Sequence, residues 1–189
     1  RALQFRFHLE CDVEFVKSNV VSTQNLIEAF REAPPRLILF TSSLSVYSKS
    51  ARLPFVETQP TSSPAPYAAT KRWAEQLLET FRQSQVIVLR LPSLYGRGQG
   101  DSFIDGLAKL AMNNEPIELF SRGRVIRDAL HVSSVTKAIE TCLQRPPSEL
   151  FLTMNLGCGR AISSLEYAEA LTEALGSSSH IVPVDRPAS

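Results

Sequence analysis

Apolar residues recur at two spacings along the chain, and their alternation predicts a mixed α/β fold. Continuous apolar runs at 37–40, 85–91 and 151–156 are typical of buried parallel strands. Helical spacing predicts helices at 12–32, 67–84, 103–112, 133–143 and from Ser163 or Ser164 to Gly176. Shorter strands are predicted at 1–10, 116–120 and 181–184.

Composition excludes several classes of protein. The 189 residues are 43% hydrophobic, enough for a real core, and the net charge of +1 gives no electrostatic case for binding nucleic acid or a membrane. No apolar run approaches the ~20 residues that span a bilayer, and no signal-peptide pattern is present. The three cysteines lack metal-ligand spacing and suit a reducing compartment, so we expect a cytoplasmic protein without a metal site.

The first chemical candidate is the pair Tyr67 and Lys71, which opens one of the predicted helices. The two residues are four apart and therefore share a helix face. An ammonium beside a phenol favours the phenolate, so we expect a lowered pKa for Tyr67 and a role in proton transfer. Taken alone, this common pattern more often marks a surface tyrosine beside a solvated lysine.

A second candidate lies 24 residues upstream of Tyr67, where hydroxyl side chains follow the predicted strand at 37–40. Ser43 is the central one, between Thr41 and Ser45. The carboxyl end of a parallel strand is where open α/β sheets place ligands.

The order and spacing of Ser43, Tyr67 and Lys71 resemble the extended short-chain dehydrogenase/reductase family of sugar-nucleotide epimerases, dehydratases and reductases. Other segments resemble family motifs as well. They are 19–26 (Asn-Val-x-Gly-Thr-x-Asn-Leu, with Ser22 at the glycine), 90–96, 127–132, 155–159 and 186–187.

The resemblance implies a Rossmann-like doubly wound parallel sheet, here without its N-terminal part, and a small C-terminal α/β substrate-binding region. We expect the division at 1–92 and 93–189. The helix at 133–143 and the strand at 151–156 are expected to return to the first part.

The resemblance also implies roles for individual residues. Ser43, Tyr67 and Lys71 would be catalytic. Besides Tyr67 and Lys71, the predicted contacts to NAD or NADP, with NAD favoured, are Asn19, Thr41, Ser42, Leu91 and Pro92. The predicted contacts to a nucleotide-sugar substrate are Ser43, Ser45, Ser93, Arg127 and Arg186.

Several of these residues have a structural alternative. Asn19 would also suit a helix interface, Arg127 an ion pair with Asp128 or with a carboxylate elsewhere, and Ser93 no contact at all. His131 and His8 are interpreted as structural. Leu44 and Ser45 stand where dehydratases carry an acid pair, which disfavours sugar dehydration and leaves epimerase or reductase chemistry.

No glycine-rich dinucleotide segment occurs, since the first glycine is Gly96. We expect a fragment of a longer enzyme; a truncated or non-catalytic family member that binds nucleotide or a protein partner is the alternative. A second alternative is a reductase that acts on substrates other than sugars. The resemblance also implies a homodimer formed through the helices 12–32 and 67–84.

Overall fold

The computed structural model describes residues 12–98 and 102–186, which form two compact units. The first unit comprises the described residues up to Leu91 together with Ala138–Leu156. The second comprises the described residues of Pro92–Lys137 and those from Gly157 onward. The predicted strand at 1–10 and His8 lie outside the described residues.

The first unit is built on a three-stranded parallel sheet. Its strands are β1 (Leu37–Ser43), β2 (Gln85–Leu91) and β7 (Phe151–Asn155), which lie in the order β1-β2-β7. Central β2 is buried along nearly its whole length, because it has a neighbour on each edge and its apolar run fills both faces. In register, Ser43 of β1 lies opposite Leu91 of β2.

Two helices cover this sheet. Helix α1 spans described residues 12–30 and contains a π-helical segment, Val16–Val21, before its α-helical part Ser22–Phe30. Helix α2 (Pro66–Thr80) starts with proline at its first turn, where a missing N–H costs nothing. Both helices contribute to a core with β2, formed by Ile27, Leu78, Phe81, Val86 and Val88.

The second unit contains three small sheets. Strand β3 (Ser93–Tyr95) pairs in parallel with β6 (Ala129–His131), β4 (Ile117–Leu119) pairs in parallel with β9 (Ile181–Pro183), and β5 (Ile126–Arg127) pairs antiparallel with β8 (Ile162–Ser163).

Helices α3 (Phe103–Met112) and α5 (Ser164–Leu175) pack together in the second unit. Each begins with a capping box, Ser102 with Asp105 and Ser163 with Glu166, which satisfies backbone donors at the helix start. Their apolar faces enclose a core with β4, made of Leu107, Ala111, Ile117, Leu119 and Ala168.

The predicted fold class is confirmed as α/β with a parallel sheet. The unit boundary falls at Leu91, next to the expected division at 92, and β7 pairs with β2. Helix α4 (Val132–Gln144) is divided between the units, with its part from Ala138 onward in the first. The π-helical segment of α1 was not predicted from the regular apolar spacing.

Candidate active site

The three predicted catalytic residues come together in the first unit, at the carboxyl end of β1 and the start of α2. Ser43 is the last residue of β1 and caps a single 3₁₀ turn, Leu44–Val46. Pro66 begins α2 one residue before Tyr67, so Tyr67 and Lys71 occupy successive turns of its first half.

The Ser43 hydroxyl is oriented by Ser45. The Ser45 amide donates to the Ser43 Oγ at 3.1 Å and the Ser45 hydroxyl donates to the same oxygen at 2.9 Å. Because both bonds use Ser43 as an acceptor, its own proton remains available for donation. The Tyr67 phenol lies near enough for the Ser43 hydroxyl to lower the Tyr67 pKa.

Tyr67 is partly accessible, with 38% of its surface exposed, and the ring of Phe15 packs edge-on against it with 5.4 Å between ring centroids. Burial raises the pKa of Tyr67, and the hydrogen bond from Ser43 lowers it by a smaller amount. The expected lowering of the Tyr67 pKa is therefore wrong, because desolvation of the phenolate outweighs the favourable contact with the Ser43 hydroxyl.

Lys71 is half-buried beside the same strand end. Its Nζ donates to the Thr41 carbonyl at 3.1 Å and lies 5.1 Å from the centroid of the Phe40 ring. Burial lowers the pKa of Lys71, because a partly desolvated ammonium is less stable than a hydrated one. The ammonium is thus fixed over β1.

The remaining predicted cofactor contacts differ in accessibility. The Thr41 side chain is exposed at the strand end, and Leu91 and Pro92 follow at the end of β2. Ser42 is 4% exposed and donates to Glu75 of α2, so its side chain is turned into the unit. Asn19 is 9% exposed and donates to the Thr70 hydroxyl at 3.0 Å, which is the helix-interface arrangement considered as its alternative.

The predicted substrate residues outside this cluster lie in the second unit. Arg127 donates to the Ser164 hydroxyl at 3.3 Å, and its guanidinium lies 4.2 Å from the centroid of the Phe103 ring. Asp128 instead accepts the Cys158 amide at 3.1 Å, and no ion pair joins it to Arg127 among the described residues.

Three further residues of the second unit were singled out from the sequence. Ser93 is exposed on β3, and Arg186 is exposed beside Glu118 at 3.9 Å. His131 bonds to the Ser133 hydroxyl at 2.7 Å and accepts the Ser133 amide at 3.2 Å, as a structural histidine would.

Sequence reasoning missed a buried polar cluster directly behind the candidate catalytic residues. Its members are Glu75, Arg90, Tyr47 and Asn155. The signal was present in the chain: Glu75 falls on the inward stripe of α2 between Ala74 and Leu78, and Arg90 interrupts an apolar strand.

The described residues contain no group of three or more histidine, cysteine, aspartate or glutamate side chains able to hold a metal ion. None of the helices in the described part of the chain is long and apolar enough to cross a membrane.

Solved structures share the fold. The UDP-N-acetylglucosamine 4-epimerase of Methanobrevibacter ruminantium superposes with a TM-score of 0.81 at 20% identity, covering 92% of this chain and 58% of that one. MoeE5, solved in complex with UDP-glucose and NAD, superposes with a TM-score of 0.77 at 29% identity, covering 90% of this chain and 58% of that one.

Curated relatives agree with the structures. A probable UDP-glucuronate 4-epimerase of Rhizobium meliloti is 24% identical over 90% of this chain and 57% of the relative. The UDP-glucose 4-epimerase of Yersinia pestis is 28% identical over 87% of this chain and 56% of the relative. The chain thus spans a little over half the length of the curated relatives it matches.

The model of the NAD dependent epimerase/dehydratase family matches residues 7–157, which include Ser43, Tyr67 and Lys71. Sequence, fold and family model therefore agree, and the chain belongs to the NAD-dependent epimerase/dehydratase family.

Proposed function

We propose that this chain is part of an NAD-dependent enzyme that oxidises a sugar hydroxyl of a nucleotide-activated sugar, with epimerisation as the favoured outcome. The observation that carries the proposal is the convergence of Ser43, Tyr67 and Lys71 at one strand end. Similar proteins solved with UDP-glucose, or with UDP-glucose and NAD, support the same substrate class and cofactor.

The residues of the strand end fit a nicotinamide nucleotide. The half-buried Lys71 ammonium, the exposed Thr41 hydroxyl and the Tyr67 phenol offer donors to ribose hydroxyls. When bound, NAD supplies the hydride acceptor. NADP is the alternative.

The chain's own residues supply positioning and proton transfer. Ser43 donates a hydrogen bond to the reacting sugar oxygen, and Tyr67, in its phenolate form, takes the hydroxyl proton and becomes a neutral phenol. Lys71 fixes the ribose. Because burial raises the pKa of Tyr67, proton acceptance by its oxygen becomes more effective as the pH rises toward that pKa.

Roles in substrate binding are assigned to the second unit. Arg127 and Arg186 are proposed to bind the diphosphate, because a guanidinium fork matches phosphate oxygens. Stacking of Arg127 on Phe103 supports this by holding the guanidinium plane in one orientation. Ser93, exposed on β3, is proposed as a donor to the sugar or a phosphate.

A homodimer through α1 and α2 is also proposed. Large apolar side chains on these helices are more than a third exposed, among them Val13, Leu26 and Trp73. Trp73→Glu should shift the natural full-length protein toward monomer in sedimentation velocity. Met112→Glu, at a more exposed position of the second unit, should leave its oligomeric state unchanged.

Free thiols at Cys142 and Cys158 fit the proposed cytoplasmic location.

The proposal is tested by calorimetric titration of NAD and of UDP-glucose into this chain and into the longest natural product of its gene, followed by NMR analysis of the sugar products. We expect binding and sugar interconversion with the natural product. Absence of binding to both forms would overturn the enzymatic proposal and favour a non-catalytic family member.

A further inference from the structure

The most completely buried charged side chain of the first unit belongs to Glu75, on the same helix as Tyr67 and Lys71. It is 1% exposed and accepts bonds from three residues. The Arg90 guanidinium donates at 2.8 Å and 3.1 Å, Arg72 at 3.4 Å, and the Ser42 hydroxyl at 2.5 Å. A buried carboxylate with this many donors is fixed in place, since any movement would leave a charge unpaired.

The position of Glu75 on α2 connects it to the candidate active site. Tyr67, Lys71 and Glu75 follow one another at intervals of four residues, so they form one row along the helix. Each member of the row faces the end of β1: Tyr67 lies near Ser43, whose hydroxyl lowers the Tyr67 pKa, Lys71 donates to the Thr41 carbonyl, and Glu75 accepts from the Ser42 hydroxyl. Of these contacts, only the bond between Glu75 and Ser42 joins two buried side chains.

The segment after Ser43 is tied to the same ion pair. Arg90 donates to the Tyr47 phenolic oxygen at 3.0 Å, and Tyr47 donates to Asn155 of β7 at 2.8 Å. The Tyr47 ring also stacks on Phe55 with 4.6 Å between centroids. Ser43 therefore lies between two residues, Ser42 and Tyr47, that are both anchored to the Glu75–Arg90 pair.

We propose that Glu75, through Ser42 and Arg90, is a positioning residue that sets the contact between the Ser43 hydroxyl and the Tyr67 phenol. The inference rests on the proposed function, in which these two side chains meet the reacting sugar oxygen. Burial of the Glu75–Arg90 pair by itself would serve stability alone. The bond between Glu75 and Ser42, the neighbour of Ser43, gives the pair a role beyond stability. It fixes the end of β1 relative to α2.

Ser42→Ala is the informative variant, because it removes the bond between helix and strand while Glu75 keeps both bonds from Arg90. Ser84→Ala is a matched control: Ser84 is 3% exposed in the same unit, and its hydroxyl has no hydrogen-bond partner among the residues that the structure describes. Ser42→Thr keeps a hydroxyl at the position and serves as the rescue variant.

The readout is the ionisation of Tyr67, followed by phenolate absorbance in this chain. Each variant is compared with its Tyr67→Phe counterpart, so that the other three tyrosines cancel. Since the Ser43 bond lowers the pKa of Tyr67, we expect an upward shift of the Tyr67 pKa in Ser42→Ala, in the same direction as in Ser43→Ala. Ser42→Thr and Ser84→Ala should titrate like the parent chain.

An unshifted Tyr67 pKa in Ser42→Ala would overturn the positioning role. In the natural full-length enzyme, the same variant should lower kcat by up to about 100-fold with little change in KM, as expected for a small misplacement of a reacting group. An unchanged kcat would also overturn it. If the unsubstituted enzyme shows no turnover, the proposed function fails, and the titration separately decides whether Glu75 positions Ser43.

Discussion

Each unit contains an ion pair between residues of different elements, and these two pairs lie in opposite environments. In the first unit, Arg90 and Glu75 are 2.8 Å apart with side chains 5% and 1% exposed. In the second, Arg186 and Glu118 are 3.9 Å apart with side chains 70% and 57% exposed. Water screens the second pair, whereas Glu75 of the first pair is held by Ser42 and Arg72 as well as by Arg90 in a buried position. The contrast is compatible with the proposed roles, in which residues of the first unit fix the reacting groups and residues of the second offer charge to a ligand.

Removing one partner of the buried pair should have the largest effect on stability. Glu75→Leu leaves the Arg90 guanidinium buried without its carboxylate, and we expect a loss of about 3–5 kcal/mol in the first unit. Hydrogen exchange of the β2 amides measures this loss locally. The double variant Glu75→Leu/Arg90→Leu should recover most of it, because no uncompensated charge remains; a double variant as unstable as the single one would contradict this account.

Close packing limits substitution at Gly123 in the second unit. Gly123 follows Ser121 and Arg122, both at positive φ, and has a φ of +73° itself. A Cβ at Gly123 would lie 2.9 Å from the Leu165 Cβ. Gly123→Ala should therefore cost about 2–4 kcal/mol, combining left-handed strain with overpacking.

Gly176→Ala separates the two contributions at Gly123. Gly176 has a φ of +60°, and a Cβ added there would meet no atom within 4 Å, so only the backbone strain of about 1–2 kcal/mol should appear. Thermal unfolding of both variants, compared with the parent chain, makes the measurement. Equal losses at the two glycines would contradict the packing argument.

Alkaline pH should affect the first unit through Tyr67. Its pKa is raised in the folded state, so the stabilisation is complete below the unfolded value of about 10 and is lost as the pH rises through the folded pKa. Burial lowers the pKa of Lys71, which acts in the opposite direction, because stability then increases as the lysine deprotonates. Tyr67→Phe removes the contribution of the tyrosine and leaves that of Lys71. As the pH rises from about 10 through the folded Tyr67 pKa, the urea midpoint should therefore decline less in Tyr67→Phe than in the parent chain.

The smallest effect is expected at the exposed pair. Glu118→Gln should change the free energy of unfolding by less than about 1 kcal/mol, because both side chains are solvated. Added salt should shrink even this difference. A loss comparable to that of Glu75→Leu, measured by urea unfolding, would remove the distinction between the two units.

Much of the fold followed from local pattern. The predicted strand at 85–91 and the helix at 103–112 match β2 and α3 residue for residue, because the first is apolar throughout and the second has a clear start and stop. The convergence of Ser43, Tyr67 and Lys71 was implied by the resemblance of their order and spacing to the family pattern.

Burial and partner choice could not be predicted in the same way. Glu75 and Arg90 are 15 residues apart and belong to different elements, so their pairing depends on how α2 packs on the sheet. The pKa of Tyr67 likewise depends on how far packing removes the phenol from water, a quantity that residue spacing does not contain.

The most direct test of the central claim is the rate of UDP-glucose interconversion by the natural full-length protein with NAD, compared between Tyr67→Phe and Tyr167→Phe. Each substitution removes one phenolic hydroxyl, and Tyr167 lies on α5 in the second unit. If Tyr67 accepts the sugar proton, Tyr67→Phe loses turnover while still binding NAD, and Tyr167→Phe retains it. Full turnover by Tyr67→Phe would contradict the account.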